Sequence, residues 1–116
     1  MTGTTKRLIL EMGSGTDLHG RDYTKAAKRA VQDALQHASF PLFRSMGIDP
    51  NTMQIELTLA AQQPDRIDLE AVAALLPYGQ VTARAVPGGL DVDDPDNGDT
   101  CVIVNAGVAV WLPLPG

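Results

Sequence analysis

The sequence predicts an α/β fold, a two-layer α+β sandwich running β-α-β-α-β-β, with a four-stranded mixed sheet and two helices on one face. Three observations carry that expectation. Met53, Ile55, Leu57 and Leu59 alternate with Gln54, Glu56 and Thr58, and Gln80 to Val86 alternates likewise, the period of a half-buried strand. Ala27, Ala30, Val31, Ala34, Leu35 and Ala38 recur at three- and four-residue spacing, which paints one face of a helix. Parallel crossovers are right-handed, so both connecting helices land on the same side of the sheet.

The elements follow in chain order. Arg7 to Met12 reads as a short first strand, and Gly13 to Gly20 as a glycine-rich loop leading to a helix. Asp22 suits the helix N-cap, where a carboxylate accepts from amides that lack intrahelical partners. Pro41 ends or kinks that helix near Ser39-Phe40, because proline removes a hydrogen bond and clashes with the preceding turn. A short helical turn then closes at Gly47, and Asp49-Pro50-Asn51 turns the chain into the second strand. Asp68 caps a second helix, Leu69 to Leu76, which stops before Pro77-Tyr78-Gly79. After the third strand, Pro87-Gly88-Gly89 makes a turn or bulge. Asp91 to Asp99, rich in Asp, Pro, Asn and Gly, reads as an irregular acidic loop. Cys101 to Leu112 is the last and most apolar strand, and residues 113–116 form a loose tail on a single domain spanning 1–116.

Composition narrows the function classes. The chain has 116 residues, 44% of them hydrophobic and 20% charged, ordinary values for one globular domain. Nine basic against fourteen acidic residues leave a net charge of −5. Lys25, Lys28 and Arg29 are the densest basic group, too small to release many counterions from a polyanion, so nucleic acid and anionic membrane are not expected partners. A single cysteine excludes an intrachain disulfide and agrees with a reducing, cytoplasmic setting. Cys101 reads as core and His37 as a boundary residue of the helical stripe. No segment approaches the ~20 apolar residues that span a bilayer.

The chemistry-bearing feature is Gly13-Ser14-Gly15-Thr16-Asp17-Leu18-His19-Gly20. Its glycines allow close approach of a ligand to the backbone, and the helix start beyond supplies free amides. It lacks the third glycine of a dinucleotide fingerprint and the Gly-Lys-Ser/Thr of a P-loop. In an extended segment, residues two apart project to one side, so Asp17 and His19 are expected to converge. Together they suit either a divalent metal site, completed by a third ligand, or an acid/base pair in which Asp17 orients His19. Gly13 and Gly15 would act as backbone donors, with Ser14 and Gly20 beside them. Arg21 or Lys25 would anchor an anion. Asn105, within Asn105-Ala106-Gly107 of the last strand, is a further ligand-binding candidate. The plain alternative is a shaped turn with no ligand.

The pattern Gly13-x-Gly15-x-Asp17-x-His19-Gly20, continued by Asn105-Ala106-Gly107-Val108, resembles the hallmark of a small uncharacterised family of conserved hypothetical proteins. That resemblance implies a site and gives no reaction. The β-α-β-α-β-β plan is also similar to one repeat of the ring-opening amidohydrolases, cyanuric acid hydrolase and barbiturase, whose three repeats surround a central site with Ser-Lys pairs. A homotrimer of this chain would imitate those repeats, although Asn105-Ala106-Gly107 stands where their Ser-Gly-Gly segment is expected. Locally, Gly13 to His19 resembles the opening of the trimeric cyclodiphosphate synthase, where Asp and His bind a divalent metal.

The uncovered sheet face, carrying Gln54, Glu56, Thr58, Thr82 and Arg84, predicts association with copies of the same chain. The resulting expectation is a homo-oligomeric, hydrolase-like enzyme acting on a small polar or anionic molecule at a subunit interface. A metal- or ligand-binding module without turnover, and a purely structural homo-oligomer, are the alternatives.

Overall fold

A computed structural model describes residues 5–36, 45–76 and 79–113. Strand β1 (Thr5–Asp17) is followed by helix α1 (Tyr23–Gln36), strand β2 (Gln54–Ala61) and the short helix α2 (Leu69–Ala73). Strands β3 (Gln80–Pro87), β4 (Leu90–Asp94) and β5 (Asp99–Pro113) complete the chain. Single 3-10 turns at Pro50–Thr52 and Pro64–Arg66 lead into and out of β2.

The sheet has five strands, in the order β1-β5-β2-β3, with β4 also paired to β5. Strand β5 runs antiparallel to β1, β2 and β4, whereas β2 and β3 are parallel. The fold class is the α/β arrangement the sequence predicts, with one strand more than the expected four. The extra strand comes from the acidic segment expected to be a loop. Leu90–Asp94 pairs with Asp99–Ile103 in a hairpin, whose turn, residues 95–98, closes on Gly98 at φ +65. Its aspartates forbid neither extended backbone nor the ladder, because the bonds are made by the main chain and the carboxylates need only reach water or a donor.

Burial follows the two periodicities. Ile55, Leu57, Leu59 and Ala61 of β2, and Val102, Val104, Ala106, Val108, Val110 and Leu112 of β5, face the helices and are buried. Against them lie Tyr23, Ala26, Ala27, Ala30, Val31 and Ala34 of α1, with Val72 of α2. Each buried Leu or Val contributes about 1.5–3 kcal/mol of transfer free energy. Helix α1 packs on β1 and β5, while α2 packs on β3 and touches α1, so both lie on one face.

Asp22 caps α1 as the sequence suggests, accepting from the Lys25 amide at 3.0 Å. Asp68 does the same for α2 through the Ala71 amide. That helix is shorter than expected, ending at Ala73, and residues 74–76 continue as a turn. The expected break at Ser39-Phe40-Pro41, Ala38 and His37, and the tail beyond Pro113 lie outside the described residues.

Between β3 and β4 the chain crosses over the end of β2 through Gly88 and Gly89. Gly89 has φ +63, and a β-carbon there would meet the Ile103 carbonyl oxygen at 2.2 Å and that of Ala60 at 2.9 Å. Only glycine can pass between those two strands.

Candidate functional site

The segment expected to be a loop is mostly strand. Strand β1 continues through Gly13, Ser14, Gly15, Thr16 and Asp17, pairing residue by residue with Ala106 down to Val102 of β5. The reason lies in its neighbour: Gly13 and Gly15 face α1, and β-carbons there would lie 2.4 Å from the Ala30 carbonyl oxygen and 2.2 Å from that of Ala26. These glycines bring helix and sheet backbones together.

Helix α1 also satisfies part of the free edge of β1, at Ser14 and Thr16. The Ser14 amide donates to the Asp33 carboxylate at 3.0 Å, and the Arg29 guanidinium donates to the Thr16 carbonyl at 2.6 Å. An edge strand otherwise offers unpaired amides and carbonyls to other chains. Arg29 and Asp33, one helical turn apart, occupy that edge. Their i, i+4 spacing is the sequence signal that hints at this shared task.

Asp17 closes the strand and is 3% exposed. Its Oδ2 accepts from the Asp22 amide at 3.0 Å. Its Oδ1 lies 3.9 Å from Lys25 Nζ and 3.8 Å from Arg29 Nη1. The carboxylate is thus engaged with the start of α1, and Lys25 and Arg29 are its counter-ions.

His19 lies elsewhere. Its side chain is 79% exposed, with Nδ1 3.3 Å from Asp99 Oδ2. The expected convergence of Asp17 and His19 in one cavity is absent, because the strand ends at Asp17 and the two-residue rule ends with it. Gly20 at φ +88 and Arg21 at φ +51 then reverse the chain into α1. Asp99 gathers this turn, accepting from the Thr100 amide at 2.8 Å and the Gly20 amide at 3.3 Å. Those amides, the Thr100 amide foremost, and His19 after them hold its carboxyl below the usual carboxylate range. Among the described residues no three His, Cys, Asp or Glu side chains gather as metal ligands.

Three of the candidate residues do meet. A cleft of about 350 Å³ is lined by Met12, Gly13, Ser14, Asp33, Asn105 and Ala106. Ser14 and Asn105 face each other across the β1–β5 ladder. Gly15, Asp17, His19, Gly20, Arg21 and Lys25 are not part of that lining. Cys101, expected in the core, is half-buried on the opposite face from the helices, its Sγ 3.7 Å from the Leu18 carbonyl oxygen.

Sequence reasoning missed one polar pair altogether. The Tyr23 hydroxyl donates to Asp91 Oδ2, and the Arg66 guanidinium stands 5.5 Å from the centre of the Tyr23 ring. Burial, then the bond to Asp91, pushes the phenol up from its ordinary value. No pattern links residues 68 positions apart.

Fold and site together define a small two-layer α/β module with one helix-covered and one bare sheet face, its glycine motif serving helix–sheet packing. The chain belongs to the family of conserved hypothetical proteins described as Lin0512_fam, which matches residues 7–110. It is similar to the crystal structure of an FtsZ-like protein of unknown function from Nostoc punctiforme, with a TM-score of 0.82 and 37% identity. That likeness covers 97% of this chain and 99% of the other. No curated protein matches. Among the described residues no helix is long and apolar enough to cross a membrane.

Proposed function

We propose that the chain is a self-assembling module whose copies close over the bare sheet face. The observation that carries this reading is the set of large apolar side chains on that face. Met12 is 71% exposed, and Leu10, Leu90 and Val92 are about half exposed. By register, Leu10 and Met12 of β1 stand opposite Ala109 and Gly107 of β5, and Leu90 and Val92 of β4 opposite Ile103 and Cys101. The two apolar pairs flank β5 on the same face, on either side of the polar Ser14–Asn105 step, and exposed apolar side chains gathered on one face suit an interaction surface. A second copy is the simplest partner, since each copy presents the same uncovered face. Three copies would be the number if the chain resembles a single amidohydrolase repeat.

The test is size-exclusion chromatography with light scattering at micromolar concentration. The expected mass is a multiple, three for a trimer, of the 12.3 kDa chain. The double variant Met12→Lys/Val92→Lys should run as a monomer with an unchanged circular dichroism spectrum. A wild-type protein that elutes at the mass of one chain would sink the reading.

A second reading, binding of a small polar ligand, is favoured by the cleft in which Ser14, Asp33 and Asn105 meet. Met12 and Asn105 belong to the bare face, so assembly would place this cleft beside an interface. Hydrolysis by an Asp17–His19 pair has no such support, because Asp17 is buried against the start of α1 and His19 is exposed beside Asp99.

A further inference from the structure

The bare face holds a second, more polar feature on the β2–β3 side. Glu56 and Thr82 are register partners, as are Thr58 and Arg84, so the four side chains form a square on that face. A cavity of about 170 Å³ opens there, lined by Glu56, Leu57, Thr82 and Arg84. Arg84 Nε donates to Thr58 Oγ1 at 3.2 Å, which orients the guanidinium, and among the described residues its terminal nitrogens make no hydrogen bond. Among the described residues no ion pair joins Glu56 to Arg84. Strand spacing and the rise per residue set their backbones roughly 8 Å apart on the diagonal.

The floor beside the square is flat. Thr58 pairs with Gly107 on its other side and Glu56 with Ala109. A β-carbon at Gly107 would meet nothing within 4 Å, so β5 leaves open space there.

We propose that this square is a subsite for a small zwitterion, an α-amino acid or a compound with the same adjacent ammonium and carboxylate groups. The carboxylate of the ligand would take the free guanidinium nitrogens of Arg84, with the Thr82 hydroxyl as a further donor. The ammonium would donate to Glu56. A lone anion meets repulsion from Glu56 and a lone cation meets it from Arg84, whereas a zwitterion satisfies both. Charge-assisted hydrogen bonds of this kind are the strong ones. The square lies on β2 and β3, whereas the apolar side chains sit on β1 and β4, so its charges and space do not depend on assembly.

The experiment is a titration of the full-length, isotope-labelled chain followed by amide chemical shifts, using L-alanine as the probe. Propionate and L-alaninamide, each carrying one of its two charges, are titrated in parallel. L-alanine is expected to shift the amides around Thr58 and Thr82 saturably, with either half-ligand at least about tenfold weaker. Glu56→Gln should abolish the preference over propionate, and Arg84→Gln the preference over L-alaninamide. Gly107→Val, which fills the open floor without touching a charge, should weaken L-alanine binding while the protein stays folded. Propionate binding as tightly as L-alanine, or the absence of saturable shifts, overturns the proposal. Light scattering on the same samples separates the two ideas: saturable binding to a single-chain species keeps the subsite and removes the assembly.

Discussion

The hydroxyl of Tyr23, the first residue of α1, donates to the carboxylate of Asp91 in β4. This bond ties the helix start to the hairpin that extends the sheet. Among the described residues the other oxygen, Asp91 Oδ1, is buried without a hydrogen-bond partner, so the carboxylate is held through Tyr23.

Tyr23→Phe should therefore destabilise the fold by about 1–3 kcal/mol, the cost of leaving a buried acceptor unpaired. The double variant Tyr23→Phe/Asp91→Val should recover much of that loss, since removing both partners leaves no orphan. Urea denaturation of the two variants measures the difference. The pair also sets a pH limit. The folded chain holds the Tyr23 proton more tightly than the unfolded chain, through burial and through Asp91, against the opposing charges of Arg66 and Arg21. Its contribution is full below the ordinary phenol value of 10.0 and is lost as pH rises through the raised folded value. Alkaline melting curves of wild type and Tyr23→Phe should converge as pH increases.

Gly13 and Gly15 should be intolerant of even one added carbon. A β-carbon at either position overlaps the backbone of α1, which cannot retreat without opening the Ala26–Ala34 interface. Gly15→Ala should cost about 1–3 kcal/mol or more, with Gly13→Ala similar. Gly107→Ala in the neighbouring strand meets open space and should fall within about 0.5 kcal/mol of wild type. Chemical denaturation midpoints of the three variants decide the matter. A neutral Gly15→Ala would mean that helix and sheet are not packed as described.

What could be read from sequence divides along a physical line. The alternation around Leu57 and the stripe through Ala30 report burial on one face, and burial was set by those residues themselves. The caps at Asp22 and Asp68 are local, so their residue types were enough. The end of β1 was not legible, because glycine is the residue of both turns and close packing, and what distinguishes the two is α1 lying against it. Strand β4 was hidden for a similar reason: its ladder to β5 is made by main-chain atoms, while its aspartates carry the composition of a loop. The site reading of Asp17 and His19 assumed that the strand's two-residue rule continued past Asp17. It stopped there, one carboxylate turned inward and one imidazole outward.

Asp17 and His19 should accordingly behave very differently on substitution. Asp17→Ala removes the acceptor for the Asp22 amide and leaves Lys25 and Arg29 without their shared counter-ion. A loss of about 1–3 kcal/mol is expected. Asp17→Asn should recover part of it, since an amide oxygen still accepts from Asp22. His19→Ala should leave the denaturation midpoint unchanged within error, because a polar contact made by so exposed a side chain contributes little. A His19→Ala variant as damaged as Asp17→Ala would show that the imidazole has a structural partner other than Asp99.

Asp99 gives the acid-side counterpart to Tyr23. The amides of Thr100 and Gly20, then His19, favour its charged form and lower its folded pKa below the unfolded one. Its contribution is therefore present above the ordinary carboxylate value and is lost as pH falls through the lowered folded value. Asp99→Asn keeps one acceptor for the two amides but cannot titrate, so its stability should fall less steeply than that of the wild type on acidification. Thermal melts of both proteins from neutral to acid pH read this out, and parallel acid limbs would place the lost charge elsewhere. Salt should not remove the difference, because amides carry no net charge to screen and they outrank His19 in holding the carboxylate.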